Sequence, residues 1–344
     1  MTARARWVAA LVLSAGAPGS TAVPVLENAT SLAFASKQDG NWEIYLMDSA
    51  GQRRRLTKRD SEDRFPLWSP DGTKIAFAST SGRAGDGWAL WLMDADGTHA
   101  RRLHAAIVAK SQRGWSRDGT RIVFAAIEGG NTDIYTVDVN SGRAVRLTTA
   151  PGEDRDPCWS PDGDQVVFSS TRDGQSDIYV MRADGSEVRR LTTDPASDAA
   201  PVWSPDATRI AFVSNRAGGA DLYGIAPAGE RLERLTVEAS VTRDPSRWSP
   251  DGSRLAFQMA RGGNYDIGIV RVPDHRRADI ANSPAYDGMF SWSPDGMHLA
   301  FISSRDGLDA LYRTDVDGRH TVKLTDTPAL NPAWAPRPGT SRRR

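Results

Sequence analysis

The sequence predicts an all-β chain folded as a seven-bladed β-propeller of four-stranded antiparallel blades. Three observations predict it: a repeat of about 44 residues, four short strand-like segments in each unit, and a chain that opens partway through one unit and ends on the segment that unit lacks. The segment Trp-Ser-Pro-Asp-Gly begins at Trp68, Trp159, Trp248 and Trp292, with variants at Trp115, Trp203 and Trp334, and these tryptophans stand 47, 44, 44, 45, 44 and 42 residues apart. Nine residues after each of the first six comes a phenylalanine: Phe77, Phe124, Phe168, Phe212, Phe257 or Phe301.

A third apolar segment follows, as in Asp133-Ile-Tyr, Asp177-Ile-Tyr, Asp221-Leu-Tyr and Asp266-Ile-Gly. Fourteen residues past its start stands Leu103, Leu147, Leu191, Leu235, Ile280 or Leu324, usually before a threonine. The second unit carries an insertion at Gly85-Asp86-Gly87, and the sixth keeps its spacing while changing its letters. Pro-Asp-Gly after the first segment and Asp-Gly or Asn-Ser-Gly after the third supply turn chemistry. Runs such as Ile75-Ala-Phe and Val166-Val-Phe are continuously apolar, so both faces of each sheet must be covered. No stretch between strands is long enough for a covering helix, so the units cover one another as propeller blades.

The tryptophan segment is then the innermost strand and the Arg-Leu-Thr segment the outermost. Arg54-Arg55, Arg101-Arg102 and Arg189-Arg190 fall on exposed edges, where basic side chains oppose edge-to-edge association. The chain starts with Leu32-Ala-Phe34 and no preceding tryptophan strand, and ends just after Trp334, so the last strand completes the first blade and makes seven. Six blades is the alternative count. The expected domain plan is a signal peptide over 1–22, the propeller over 23–335 and a basic tail over 336–344.

The signal is read from Arg4 and Arg6, the apolar run Trp7 to Ala17, and Ser20 and Ala22 at the −3 and −1 positions of a cleavage site. A periplasmic or secreted, monomeric mature chain is therefore expected, and a soluble one because no later run reaches membrane-spanning length. Lys plus Arg is 43 and Asp plus Glu is 43, so no global field recruits nucleic acid. The single Cys158 can form no intramolecular disulfide and reads as a small core residue.

Pro157-Cys-Trp-Ser-Pro-Asp-Gly163, Val166-Val-Phe168, Arg172-Asp-Gly174, Asp177-Ile-Tyr and Arg190-Leu-Thr together resemble the repeat of the TolB family, periplasmic propellers of the Tol-Pal system. The resemblance covers nearly all of the mature chain. It implies a propeller and a protein or peptide partner in the cell envelope, a Tol-Pal-like component among the candidates. The same repeat occurs in binding propellers, in the gating domain of prolyl oligopeptidases and in oligogalacturonate lyases. The chain departs from TolB itself, which sets an α/β domain before a six-bladed propeller, and so is similar to TolB without being an orthodox one.

Catalytic signals are sparse: no Gly-x-Ser-x-Gly elbow, no His-Glu-x-x-His and no phosphate loop. His99 and His320 fall at solvated positions before the outer strand, His104 and His298 do not converge on the channel, and His275 lies in a turn, so no metal or other cofactor is expected. The alternatives to a non-catalytic protein-binding scaffold are a lyase of the oligogalacturonate type and a binder of a cation or sugar in the channel.

Candidate binding residues come from two loop sets that share one face. Asp63, Asp154, Asp198 and Asp287 each stand five residues before a tryptophan, with Glu62, Asp156 and Asp244 nearby. Arg172, Arg216, Arg261 and Arg305 each stand four after a phenylalanine. Two readings compete: an electronegative rim at the channel mouth that takes a basic peptide or a cation, and a belt of salt bridges tying loops to neighbouring blades.

Overall fold

The structure, a computed structural model, describes residues 31–80, 87–108, 114–244 and 246–337. The expected signal peptide, most of the basic tail and two residues of the Gly85-Asp86-Gly87 insertion lie outside them. Seven four-stranded antiparallel sheets form, one per repeat, and no helix occurs among the described residues. Blade 4 shows the plan: Asp154–Trp159 innermost, then Gln165–Ser170, Asp177–Arg182 and Arg189–Arg190 at the edge.

Blade 1 joins the two ends of the chain. Its innermost strand, Ala329–Trp334, pairs antiparallel with Leu32–Ser36, which continues to Glu43–Met47 and Arg53–Arg55. That innermost strand also packs against those of blade 7 (Asp287–Trp292) and blade 2 (Asp63–Trp68), so the ring closes as expected.

The core lies between blades, which explains the continuous apolar strands. Val167 and Val180 of blade 4 cluster with Trp203, Ile210 and Phe212 of blade 5, and Ala300, Ile302 and Leu311 of blade 7 cluster with Leu32, Phe34 and Trp334 of blade 1. The second-strand phenylalanines, from Phe34 to Phe301, are wholly buried. Most stack on the tyrosine of the third strand, at 5.8 Å between ring centroids for Phe168 and Tyr179.

The recurring Trp-Ser-Pro-Asp-Gly motif is structural in each of its parts. Ser69 Oγ donates to Asp71 at 2.6 Å, the Thr73 and Lys74 amides donate to Asp71 and Ser69, and Gly72 takes the left-handed φ of 72° that the turn requires. In blade 5 Ala207 takes the same conformation, at φ 60°. The indole of the motif staples neighbouring blades. Trp68 Nε1 donates to Ala333 O at 3.0 Å, Trp115 to Leu67 O at 3.2 Å, Trp248 to Val202 O at 3.3 Å and Trp292 to Arg247 O at 2.9 Å.

Trp159 sits in the same place, 6% exposed, without that bond and with Arg121 over its ring at 5.0 Å. Trp159→Ala should therefore report packing alone, at a cost of about 3–5 kcal/mol by denaturant unfolding, whereas a surface tryptophan would cost about 0.5 kcal/mol or less.

The basic edge residues do more than guard an edge. Arg54 Nη1 reaches Asp96 O at 2.6 Å, Arg101 reaches Val139 O, and Arg189 reaches Pro227 O at 2.7 Å and Ala228 O at 3.1 Å. Each latches an outer strand to the outer turn of the next blade.

Candidate functional site: the channel mouth

The loops entering the innermost strands and those joining second to third strands do share one face, and the recurring aspartates lie there. They are not open to solvent. Asp63, Asp154, Asp198 and Asp287 are each 0% exposed and each faces an arginine, in place of an electronegative rim. Arg172 Nη2 lies 3.0 and 2.9 Å from the two carboxylate oxygens of Asp154, Arg216 Nη2 lies 2.8 Å from Asp198, and Arg305 Nη2 lies 3.0 Å from Asp287.

In all three the arginine Nε donates to a serine at 2.8 Å (Ser170, Ser214 or Ser303), and the guanidinium lies over the Phe and Tyr of its own blade. These bridges hold loops within a blade. The belt expected from sequence would have tied neighbours together.

Blade 2 reaches the same arrangement by another route. Arg59, from the loop before the innermost strand, bonds Asp63 and Ser79 at 3.0 and 3.1 Å and lies 3.8 Å over Trp91. Arg261, in blade 6, has no such partner acid and pairs with Asp279 at 2.8 Å on the outside.

Asp63 and Asp198 each bury one oxygen without a hydrogen-bond partner, and at Asp63 burial raises the pKa above the ordinary carboxylate value against the opposing bonds from its neighbours and the charge of Arg59. With the folded pKa above the unfolded one, the native state binds the proton more tightly. This favours folding at low pH, and the advantage is lost as pH rises through the folded pKa. Asp63→Asn removes the titration, so its stability relative to wild type should climb from the ordinary carboxylate pKa upward. Urea midpoints across a pH series check this; a flat or falling difference would contradict it.

The solvent-open part of the mouth is a cavity of about 610 Å³ spanning blades 4 to 7, and Asp156 and Asp244 line it with Arg155, Arg243, Tyr265 and Tyr286. A repeated bulge shapes it. In blades 2, 4, 5, 7 and 1 the innermost strand shifts register, and its third residue, Phe65, Asp156, Ala200, Met289 or Asn331, takes φ between 49° and 57°. Left-handed backbone at five non-glycine residues is costly and persists because the adjoining ring fixes it. At Asp156 the bulge places the residue in the wall of the cavity.

Blade 6 supplies the other wall, and there the repeat departs from its own pattern. Gly268 stands where other blades carry Tyr or Trp, and Met259 fills the space: a Cβ on Gly268 would lie 2.9 Å from Met259 Cε and 2.8 Å from Phe257 Cζ. Gln258 is buried and donates towards the Tyr286 hydroxyl and Asp287 O, both at 3.4 Å. Gly288 allows this approach, since a Cβ there would sit 2.2 Å from Gln258 Nε2. Burial pushes Tyr286 up to about 12, so its hydroxyl stays protonated at neutral pH. The Glu153 carboxylate, held below its usual pKa by Arg155 at 2.8 Å, stays ionised. Sequence reasoning missed Arg155, Arg243, Gln258, Tyr265 and Tyr286; the degenerate sixth unit was a signal for Gln258 and Tyr265.

Among the described residues no group of three or more His, Cys, Asp or Glu side chains is placed to hold a metal. His99, His104, His275 and His320 lie apart, beside Asp94, Glu128, Glu233 and Asp315 respectively. Among those residues no helix is long and apolar enough to cross a membrane.

A family model described as the TolB β-propeller domain matches residues 83–247 and 241–340. The Tol-Pal system protein TolB of Anaeromyxobacter dehalogenans is 30% identical over 130 residues, covering 38% of this chain and 29% of that one. A TolB homolog of Chlorobium chlorochromatii is 42% identical over 62 residues, 18% of this chain and 14% of that one. The chain thus spans less than a third of the length of these relatives.

Among solved structures, TolB from Acinetobacter baumannii superposes with a TM-score of 0.56 at 19% identity, over 89% of this chain and 82% of that one. An oligogalacturonate lyase in complex with manganese gives 0.65 at 18% identity, over 82% and 85%. A puromycin-hydrolyzing peptidase of Mycobacterium tuberculosis gives 0.65 at 17% identity, over 91% and 56%. At these identities the likeness shows a common fold.

Proposed function

Since the chain belongs to the TolB β-propeller domain family, we propose that it is a non-catalytic binding propeller of the periplasm or cell envelope, whose protein or peptide partner seats in the cavity at the channel mouth. The observation that carries this reading is the cavity itself. It is wide, lined by two tyrosines and by charged groups of both signs, and held open by arginine-fastened loops. Aromatic and arginine side chains on a rigid scaffold are what protein interfaces use as anchors. Asp156, Asp244, Arg243 and Tyr286 are the residues assigned to partner contact.

The test is capture from a periplasmic extract with three immobilised proteins: wild type, an Arg243→Ala/Tyr286→Ala variant and a surface control, Arg276→Gln. One protein retained by wild type and control and lost from the double variant, followed by a Kd measured on the purified pair, supports the reading. Equal retention by all three overturns it. So does degradation of oligogalacturonides by the wild type with a divalent metal present, the result a lyase would give.

A further inference from the structure

Below the cavity the channel wall can be read from strand alternation. On each innermost strand the residue two before the tryptophan is buried wherever it is described, and the residue one before it is partly exposed, fully so only at Arg247. Side chains alternate between the two faces of a strand. Because these strands ring the axis, the solvent that the outward set meets is that of the channel. Six of the seven residues in this ring are neutral, from Gly114, Cys158 and Ala333 to Leu67; the seventh is Arg247.

A second observation agrees with that placement. Its charge and the Cys158 thiol act on each other, although Cys158 belongs to blade 4 and Arg247 to blade 6, with all of blade 5 between them. Among the described residues the Arg247 guanidinium makes no hydrogen bond or ion pair, in contrast to Arg59, Arg155, Arg172, Arg216 and Arg305. Enclosure lowers its pKa, and the fields of Cys158 and Asp244 oppose that shift. A guanidinium stays charged and offers five donors in a planar fork that matches an oxyanion. The other six residues of its ring are neutral, so Asp244 is the acid whose field opposes that of Arg247 there.

We propose that Arg247 forms an anion site within the channel, taking a small oxyanion of carboxylate or phosphate type. The site lies below the cavity, and its existence does not depend on a protein partner seating there. It reverses the sign of ligand that the acid-rich loops suggested. The recurring Asp63, Asp154, Asp198 and Asp287 are neutralised by their own arginines, and the cation left without a bonded partner faces the axis.

Cys158 gives the test a built-in reporter. Iodoacetate and iodoacetamide both alkylate a thiolate with loss of iodide, and only the first carries a carboxylate. Burial raises the Cys158 pKa, so both reactions are run at one alkaline pH, and the ratio of their rates cancels the thiolate fraction. The iodoacetate-to-iodoacetamide ratio at Cys158 should exceed that of free cysteine on the order of tenfold. It should fall to the free-cysteine value in Arg247→Gln and persist in the surface control Arg276→Gln. Inorganic phosphate should suppress the preference relative to sodium chloride of equal ionic strength. A short peptide with a free carboxyl terminus, compared with its amide, shows whether a chain end can serve as well as a free ion.

A wild-type ratio at or below that of free cysteine overturns the proposal, as does a raised ratio that Arg247→Gln leaves unchanged. If that variant does not fold, suppression by phosphate in the wild type decides. If Cys158 resists both reagents, calorimetric titration with inorganic phosphate decides, and the absence of saturable binding overturns the proposal.

Discussion

Deleting residues from Pro328 onward should unfold or aggregate the protein, because the strand removed is the seam of the ring. Ala329–Trp334 is the only pairing partner on its side for Leu32–Ser36, a strand whose five residues are wholly buried. The deletion also takes the acceptor of the Trp68 indole, Ala333 O at 3.0 Å, and the Pro328 carbonyl that receives Ser36 Oγ at 2.7 Å. Trp334 alone, 9% exposed between blades 7 and 1, is a side chain whose truncation costs about 3–5 kcal/mol. Added to the lost ladder, the total approaches the roughly 5–15 kcal/mol that stabilises a whole domain. A raw apolar edge at Leu32–Ser36 is besides a template for association. Circular dichroism melts and size-exclusion chromatography check this. A truncated chain that melted with the wild type and stayed monomeric would mean that blade 1 does not need its fourth strand.

Closure was legible in the sequence because it depends on positions that recur. Trp, Phe and Tyr return at fixed intervals since each fills the same gap between blades, and a repeat that must cover itself cannot vary there. The same logic misleads about function. Asp154, Asp198 and Asp287 recur, which suggested a shared rim, but what recurs in a propeller serves the ring, and these acids are buried fasteners. Arg59 could not be paired with Asp63 from spacing, because it comes from a different loop than Arg172 does and only the fold brings it over Trp91. The cavity is built where the pattern fails. Gln258, Met259, Gly268 and Tyr286 depart from their counterparts, and one sheet cannot reveal from its letters which departures face a shared opening. Arg247 shows the same limit: its neighbour Trp248 is part of the repeat, while its own meaning comes from six residues on other blades.

The fastener assignment has a large and selective consequence. Replacing Arg216 with methionine keeps much of the side-chain volume over Phe212 and Tyr223 but leaves Asp198, 0% exposed, without its counter-charge. Breaking a buried pair from one side costs about 3–5 kcal/mol, because the remaining carboxylate keeps its desolvation penalty. Arg172→Met and Arg305→Met should behave alike, since Asp154 and Asp287 are equally buried. Arg261→Met provides the contrast within the same family of loop positions: its pair with Asp279 is half exposed on the arginine side, so about 1 kcal/mol or less is expected. Denaturant midpoints of the four variants give the comparison. Once a partner is in hand, its Kd for Arg216→Met adds the functional half. Below the melting temperature the variant should bind within a factor of about two of wild type, because the pair holds a loop and does not touch the ligand. An affinity lost in step with Arg216 while stability stayed unchanged would restore the loops to the binding surface and overturn their role as fasteners.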